Sequence, residues 1–450
     1  MTLRSGSKIA IIGGGPAGSF FAHFAQKWAE RKRLSLSITI FDGKDFLERG
    51  PRGCNLCAGV IAGSLEAKLH EEGLFLPEKR IINRVEGYSL HIEKETLRLS
   101  CAESGKNPIA TVFRGNGPRY SHFPHVISFD DILLSWAQDR GARVITQPVW
   151  GIQLPKNQTN PAVLFYGERR SPQRYEADLV AGAFGVNTHL LKIVRSLGFG
   201  YKPPSTLTTY QAEFRLGREE SENHFQKDIH VYQPRSKTIR YATIIPKGDY
   251  VTVTLVGKKN ATPGLAKKFF DLDEIREIFP PSKPHCFCYP KIVVSAAKNP
   301  FSDRLVLIGD AAFCRHYKNG IESAFQTARL AADAAFGYGV DASSLRRGFY
   351  GPAKKLIIRD NFYGRALFRL NDILTSVSIL ARAHFAMAKR KGQATAPKKI
   401  RRILWSMFTG DIPYRDILGM ALDIRLQISL FLNTIRLLIG NLKDFLDRAA

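Results

Sequence analysis

The sequence has no apolar run long enough to cross a bilayer uninterrupted. Its most apolar late stretch, Leu418 to Leu442, is broken by Asp423, Arg425, Asn433 and Arg436, side chains that are costly at a bilayer centre. The opening stretch, Met1 to Ile12, lacks the apolar core of a secretion signal and runs straight into glycines, so it reads as a first strand. Cysteine is scarce, with six in 450 residues; without a secretion signal this points to thiols in a reducing compartment. Acidic residues are also in short supply, 40 against 66 Lys and Arg, which leaves a formal charge of +26. That excess attracts anionic partners over a Debye length. Zinc-finger spacings, RNA-binding signatures and long basic arms are all missing, so nucleic acid is not the expected partner; an anionic membrane surface or a diphosphate-bearing substrate is. There is no internal repeat and no excess of Gly, Pro or Ser, so the chain is expected to fold throughout, at a length beyond a single core.

What is present begins with an apolar run, Lys8 to Ile12, ending at Gly13 as a buried parallel strand would. Ala17, Phe20, Phe21, Phe24, Ala25 and Trp28 then recur with helical spacing and predict one stripe packed against a sheet. Leu36 to Phe41 is a second strand closing at Asp42, which completes a right-handed strand–helix–strand crossover. Short strands are expected from Arg84 to Phe123, with turns at Ser104-Gly105 and Gly115-Asn116-Gly117-Pro118, followed by a helix from Asp130 to Asp139. Arg143 to Trp150, Ala177 to Ala183 and Arg304 to Ile308 read as strands, Thr206 to Val294 as mostly β, and Ile321 to Phe336 as an Ala-rich helix. After Val340 the pattern is helical to the end. There a basic cluster of Lys389, Arg390, Lys391, Lys398, Lys399, Arg401 and Arg402 surrounds a Gly-Gln-Ala-Thr-Ala-Pro turn.

Gly13-Gly14-Gly15-Pro16-Ala17-Gly18 is a G-x-G-x-x-G that follows a strand, opens a helix and is answered by an acidic residue at the next strand's end. Gly13 permits the tight turn, Gly15 lets the backbone approach a pyrophosphate, and Gly18 lets the helix pack closely on the strand. Free amide N–H groups at the helix start would face the phosphates, and Asp42 would accept from a ribose hydroxyl. The pattern predicts a dinucleotide site.

Asp303-Arg-Leu-Val-Leu-Ile-Gly309-Asp310-Ala-Ala narrows the cofactor. With the glycine motif, it makes the chain resemble the FAD-dependent superfamily of aromatic hydroxylases and geranylgeranyl reductases. There a late strand ends in Gly-Asp and the Asp binds the flavin ribityl chain. The resemblance implies that role for Gly309 and Asp310, and it places Gly320 and Ile321, which follow Tyr317-Lys318-Asn319, near the flavin pyrimidine ring. A helix start there would stabilise the anionic reduced ring. Arg52-Gly53-Cys54-Asn55-Leu56-Cys57-Ala58-Gly59-Val60 lies where geranylgeranyl reductases carry a Cys followed by small residues. By that resemblance Cys57 is a candidate proton donor or relay and Cys54 a second candidate, while Arg52, Ala58 and Gly59 are expected to bind the flavin; Arg52, a near neighbour in sequence, would also tune the thiol. Ala58 departs from the Cys-Gly-Gly-like pattern.

Cys54-x-x-Cys57 and Cys286-x-Cys288 would offer four sulfurs to zinc or to electron exchange if they met, but neither spacing is decisive and no metal is expected. The hydroxylase G-A-D-G-like segment reads Ala181-Gly182-Ala183-Phe184-Gly185 here. Replacement of its Asp by Phe184 disfavours NAD(P)H reduction of the hydroxylase kind and leaves a ferredoxin-like donor protein open. A tryptophan-type halogenase signature, W-x-W-x-I-P, is absent, since Trp150 has no Trp two residues away.

The resemblance implies an α/β fold: a Rossmann-type ββα three-layer FAD domain from residues 1–85, 124–190 and 297–345, an inserted substrate-binding β-sheet domain from 86–123 and 191–296, and a C-terminal helical region from 346–450. The implied activity is hydride transfer from reduced flavin to C=C bonds of an isoprenoid or other lipid-like substrate. A flavin monooxygenase acting on a hydrophobic molecule and a non-catalytic flavin-bearing membrane-surface protein are the alternatives. The tail's apolar positions, including Leu418, Ala421, Leu422, Leu430, Ile435, Leu438, Leu442 and Phe445, would cover a substrate cavity or lie in a headgroup layer; the alternative is a packed helical lobe with a solvated basic face. A cytoplasmic protein, peripheral at the inner face of the membrane, is the expectation.

Overall fold

The computed structural model describes residues 1–93, 95–102, 108–157, 159–279, 283–317, 320–390 and 395–449, with the side chains of 440–449 excepted. The expected turn at Ser104-Gly105, the pair Lys318-Asn319, Lys391 and the Gly-Gln-Ala part of the late turn, and the side chains of Leu442 and Phe445 lie outside the described residues.

Strand β1 (Lys8–Ile12) and strand β2 (Ser37–Phe41) flank helix α1 (Pro16–Lys32) in sequence and pair in parallel. They lie inside a six-stranded sheet whose order is Phe301–Ser302, Leu305–Leu307, Leu179–Gly182, β1, β2, Arg143–Ile145. All neighbours run parallel except the Phe301–Ser302 edge. A parallel sheet needs cover on both faces. Helices α1, Phe129–Asp139 and Gly320–Gly337 pack together on one side, where Phe20 and Phe24 meet Phe325 edge-on at 5.3 and 5.2 Å. A three-stranded antiparallel meander, Val149–Gln153, Ala162–Glu168 and Ser171–Ala177, takes the other side through Tyr166 and Tyr175 against Phe41. This is the expected ββα layering.

A seven-stranded sheet follows the order Cys286–Cys288, Tyr210–Arg215, Tyr250–Gly257, Ile239–Lys247, Asp228–Tyr232, Gly87–Ile92, Glu95–Ser100. Its pairs are antiparallel except Asp228–Tyr232 with Gly87–Ile92. The stretch read as mostly β also carries helices, Arg218–Phe225 and Pro263–Phe270, which bury Phe225, Leu265 and Phe269 against the sheet's apolar residues. These two are amphipathic over only two turns, too short for periodicity to stand out against strands.

The final helices are Arg359–Ser376, Ser378–Lys389, Thr395–Thr409, Tyr414–Ala421 and Ile424–Ala449. Phe385, Ile400, Trp405, Leu426 and Leu430 join Tyr88, Leu90 and Leu97 of the larger sheet in one apolar cluster. Thr395, Ala396 and Pro397, expected in a turn, open a helix instead: proline is tolerated in a first turn, where its missing N–H would have no partner anyway. The basic cluster is not a free patch either. Lys389 pairs with Glu95 at 3.0 Å, Lys399 with Asp423 at 2.9 Å and Arg402 with Asp411 at 3.0 Å, while Arg390 donates to Asn433 Oδ1 at 2.6 Å.

The closest approach in the first layer is between α1 and the turn before it. A Cβ on Gly18 would stand 1.8 Å from the Gly13 carbonyl oxygen, and one on Gly13, whose φ is +105°, would stand 2.7 Å from the Ala183 carbonyl oxygen. Gly18→Ala is therefore expected to cost about 1–3 kcal/mol by forcing helix from strand. In a thermal unfolding scan it should lower the apparent Tm by several degrees, whereas Gly73→Ala, whose Cβ meets nothing within 4 Å, should cost only the strain of its positive φ.

Candidate active site

One cavity of about 550 Å³ runs between the two large sheets. Gly13, Gly15, Pro16, Ala17, Asp42, Cys57, Ala58, Gly59, Gly309, Asp310, Gly320 and Ile321 all line it. Gly14 and Gly18 stand just behind that wall; Arg52 is exposed and lines neither this cavity nor its smaller neighbour.

The cradle end is built by backbone. Helix α1 opens with Pro16 and has no side-chain cap, so its first-turn amides are left for a ligand. Asp42 is held in place at the end of β2: its Oδ2 accepts from Gly14 N–H at 2.7 Å and its Oδ1 from Lys44 N–H at 2.9 Å. An ionised carboxylate has about four acceptor positions, so two bonds leave capacity for hydroxyls. Burial raises the Asp42 pKa, and those two backbone bonds oppose the rise. A Cβ on Gly15 would come 3.0 Å from Asn55 Nδ2, so a side chain here would fill the cradle.

At the other end of the glycine wall, Gly309 has a φ of +60° and carries the chain out of strand Leu305–Leu307 into a single turn that presents Asp310. Asp310 Oδ1 is buried and has no hydrogen-bond partner among the described residues. Burial pushes its carboxyl pKa up. An orphaned buried acceptor is costly, and a hydroxyl-bearing ligand would satisfy it. The flavin-type cofactor implied by the sequence has hydroxyls and a pyrophosphate, and this pairing of an unmet carboxylate oxygen with a side-chain-free helix start fits both.

The sequence reading missed the charged scaffold between these ends. Arg114 and Asp130, both buried, form a bidentate pair, with Nη2 donating to Asp130 Oδ2 at 2.8 Å and Nε to Oδ1. Asn55 Nδ2 also donates to Asp130, and Lys44 Nζ donates to Asn55 Oδ1 at 3.0 Å and to the Cys54 carbonyl at 2.7 Å. Arg114, not Arg52, is the guanidinium that lines both cavities with Cys57. Asp130 and Asp131 signalled only a helix start, where acidic residues are common, so nothing in the local pattern marked Asp130 as an interior partner.

Lys247, inside the stretch expected only to be mostly β, is 1% exposed. Its Nζ lies 4.4 Å from the centre of the Phe113 ring and would be 3.4 Å from a Cβ on Gly59. Burial lowers its pKa, opposed by Glu213; burial raises the pKa of Glu213, opposed by Lys247 and by Thr252, whose hydroxyl donates to Glu213 Oε2 at 2.8 Å.

The two cysteine pairs do meet. Cys54, Cys57, Cys286 and Cys288 line a small cavity of about 30 Å³ with Glu213 and Arg114. Cys57 alone of the four also lines the large one. All are free thiols, and no group of three or more His, Cys, Asp or Glu side chains among the described residues is arranged to hold a metal ion. Burial pushes Cys286 up to about 11 and Cys288 up to about 12, and it raises Cys54 as well. Such thiols stay protonated at neutral pH and are weak nucleophiles.

Away from the glycines the cavity wall is largely apolar, with Gln211, Thr243 and Thr254 among its polar members. Ile229, Val231, Tyr241, Ile245 and Val256 of the seven-stranded sheet face it, with Tyr88 and with Phe408 from helix Thr395–Thr409. Of its basic side chains, Lys44 and Arg114 already donate to protein acceptors, and Arg315 donates to the carbonyls of Gly410 and Ile412.

No protein-family model and no curated protein sequence matches the chain. Solved structures do. A geranylgeranyl bacteriochlorophyll reductase-like protein from Thermoplasma acidophilum superposes with a TM-score of 0.65 at 15% identity, covering 92% of this chain and 98% of the other. The flavin-dependent halogenase CmlS gives 0.62 at 16%, covering 94% of this chain and 77% of that one. A flavoprotein/dehydrogenase from Cytophaga hutchinsonii gives 0.60 at 17%, covering 90% and 92%. The resemblance drawn from the sequence thus holds at the level of fold: this chain has the architecture shared by geranylgeranyl reductase-like proteins and flavin-dependent halogenases.

Proposed function

We propose that the chain is an FAD-dependent oxidoreductase that saturates C=C bonds of a lipid-like, isoprenoid substrate. The observation that carries this reading is the continuity of one cavity from a glycine cradle with an unmet Asp310 oxygen to an apolar chamber. In this reading Gly13, Gly15 and Ala17 present backbone to the pyrophosphate, Gly14 holds Asp42 through its N–H, Gly18 lets the helix approach, Asp42 accepts from the adenosine ribose and Asp310 from the ribityl hydroxyls. Ala58, Gly59, Gly320 and Ile321 border the ring system. Bound there, a flavin supplies a hydride and an electron sink.

The chain's own contribution is position, exclusion of water and a proton. Saturating a C=C bond places hydride on one carbon and a proton on the other. Cys57, which lines the large cavity beside Ala58 and Gly59, would deliver that proton, and Arg114, held by Asp130, lines the same cavity. Lys247 and Glu213, behind Gly59 and beside the thiols, are ionisable groups through which the proton would be replaced. The apolar wall of Tyr88, Ile229, Val231 and Phe408 would hold the chain of the substrate and keep water from the reduced ring. NAD(P)H and a ferredoxin-like donor protein both stand as electron sources.

Gly15→Val is expected to give a folded but colourless protein, with flavin affinity reduced at least about tenfold by loss of the space the pyrophosphate needs. Absorbance of the purified protein after incubation with excess FAD, beside an unchanged circular-dichroism spectrum, checks this. A wild-type protein that binds no FAD would sink the reading.

With flavin bound and reduced under strictly anaerobic conditions, a polyprenyl lipid should gain two hydrogens per double bond by mass spectrometry. Cys57→Ala should lower that rate by about 100-fold or more while flavin content stays the same. Oxygen uptake that rises with a hydrophobic substrate, with no saturation product, would instead identify a monooxygenase.

A further inference from the structure

Over its described side chains, residues 424–439, helix Ile424–Ala449 has two apolar faces, and only one of them is covered by described residues. Leu426 and Leu430, 2% and 6% exposed, pack inward with Asn433 into the cluster containing Tyr88 and Trp405. Ile424, Ile428, Phe431, Leu432, Leu438 and Ile439 are 69%, 53%, 66%, 49%, 52% and 62% exposed. At about 100° per residue these six fall within an arc of roughly 120°, opposite the buried residues. Single exposed apolar side chains are ordinary; an unbroken row along about four turns of one helix marks a surface that meets something apolar.

The charge around the row decides what that is. Residues 346–450 contain 20 Lys and Arg, seven Asp and no Glu, a balance of +13 that is half of the formal +26. Between Ile424 and Ile439 the only ionisable side chains are Arg425 and Arg436, both exposed and both at the same rim of the row. Lys398 and Arg382 on neighbouring helices are exposed as well. A second copy of the chain would bring one such basic region against another, and like charges repel. An apolar stripe edged by arginines that pair with no carboxylate among the described residues is complementary to a layer whose headgroups are anionic and whose interior is hydrocarbon. No helix among the described residues is long and apolar enough to cross a membrane, so such contact would be interfacial.

We infer that the outer face of helix Ile424–Ala449 docks on an anionic lipid surface, with Ile424, Ile428, Phe431 and Leu432 entering the acyl boundary and Arg425 and Arg436 meeting phosphate headgroups. The face lies outside the cavity, so its test reads separately from the flavin chemistry. The buried side of the same helix belongs to the cluster of Tyr88, whose ring lines the apolar end of the cavity, so the docked surface is one helical layer from that chamber.

The test is flotation of the full chain with phosphatidylglycerol–phosphatidylcholine vesicles and with phosphatidylcholine vesicles alone, together with its mass in solution. The wild type should float with the anionic vesicles, and do so less as salt rises. Ile428→Ser/Phe431→Ser/Leu432→Ser, a triple change at exposed positions, should weaken binding at least about tenfold without altering thermal stability. Arg425→Glu/Arg436→Glu should reduce binding to anionic vesicles and leave the weak binding to neutral ones as it is. Failure of the wild type to bind anionic vesicles, or binding that the triple change leaves intact, overturns the inference. So does a dimer that the triple change makes monomeric, which would show that a second copy covers the row.

Discussion

Much of the structure depends on one close contact, the packing of Gly18 on the Gly13 carbonyl, where there is no room for even one more carbon. That contact fixes how near helix α1 lies to β1 and so where its uncapped first turn points. The Ala-rich helix Gly320–Gly337 then packs on α1, and strand Leu305–Leu307 lies two strands from β1 in the same sheet. Asp310 therefore reaches the same cavity as a glycine turn almost 300 residues earlier in the chain because both are mounted on one rigid layer. A looser turn would spread these groups and lose the convergence that a bound dinucleotide needs.

The second organising element is ionic and buried. Arg114 and Asp130 come from a loop and a helix start, and they meet where water cannot screen them. A buried pair is a poor source of net stability, because desolvating both charges offsets most of their attraction, but losing either partner leaves a charge with no answer. Its value here is geometric. It fixes Asn55, which shares Asp130, and through Asn55 and Lys44 it ties the segment bearing Cys54 and Cys57 to the segment bearing Asp42. The segment that carries the thiol proposed to act is thus joined to the carboxylate proposed to hold the ribose by a hydrogen-bonded chain through Asn55 and Lys44.

What could be read from the sequence follows from how local each signal is. The strand, glycine turn, helix and terminal Asp42 are contiguous, with period and spacing that few other folds use, and the structure has them within a residue of where they were expected. Gly309 and Asp310 were found by a motif of similar kind. Lys247, Glu213 and Arg114 carry no local mark: each is a charged residue in or beside a strand, and only long-range pairing removes it from water. Arg52 was chosen for its nearness in sequence to Cys57, yet the turn at Gly50–Arg52 directs it outward, and the nearby guanidinium is supplied from more than 50 residues away. The late basic cluster shows the converse. Its residues are close in sequence, but Glu95, Asn433, Asp423 and Asp411 reach Lys389, Arg390, Lys399 and Arg402 from other elements, which no local pattern shows.

Those same pairings change how the C-terminal helices relate to the cofactor end. The loop that leaves Asp310 runs through Arg315 and His316, and both are held by the helical region: Arg315 donates to the carbonyls of Gly410 and Ile412, and the Tyr414 hydroxyl donates to the His316 carbonyl at 2.6 Å. Arg315 also lies over the Tyr414 ring at 4.1 Å. Asn361 closes the loop from the other side, accepting from His316 N–H at 2.9 Å and donating to the Cys314 carbonyl at 2.8 Å. The region that covers the apolar chamber with Phe408 is therefore also the region that holds the Asp310 loop in shape. A force that moves these helices acts at both ends of the cavity at once, because Phe408, which packs on Tyr88 at the apolar end, is two residues from the Gly410 carbonyl that holds Arg315.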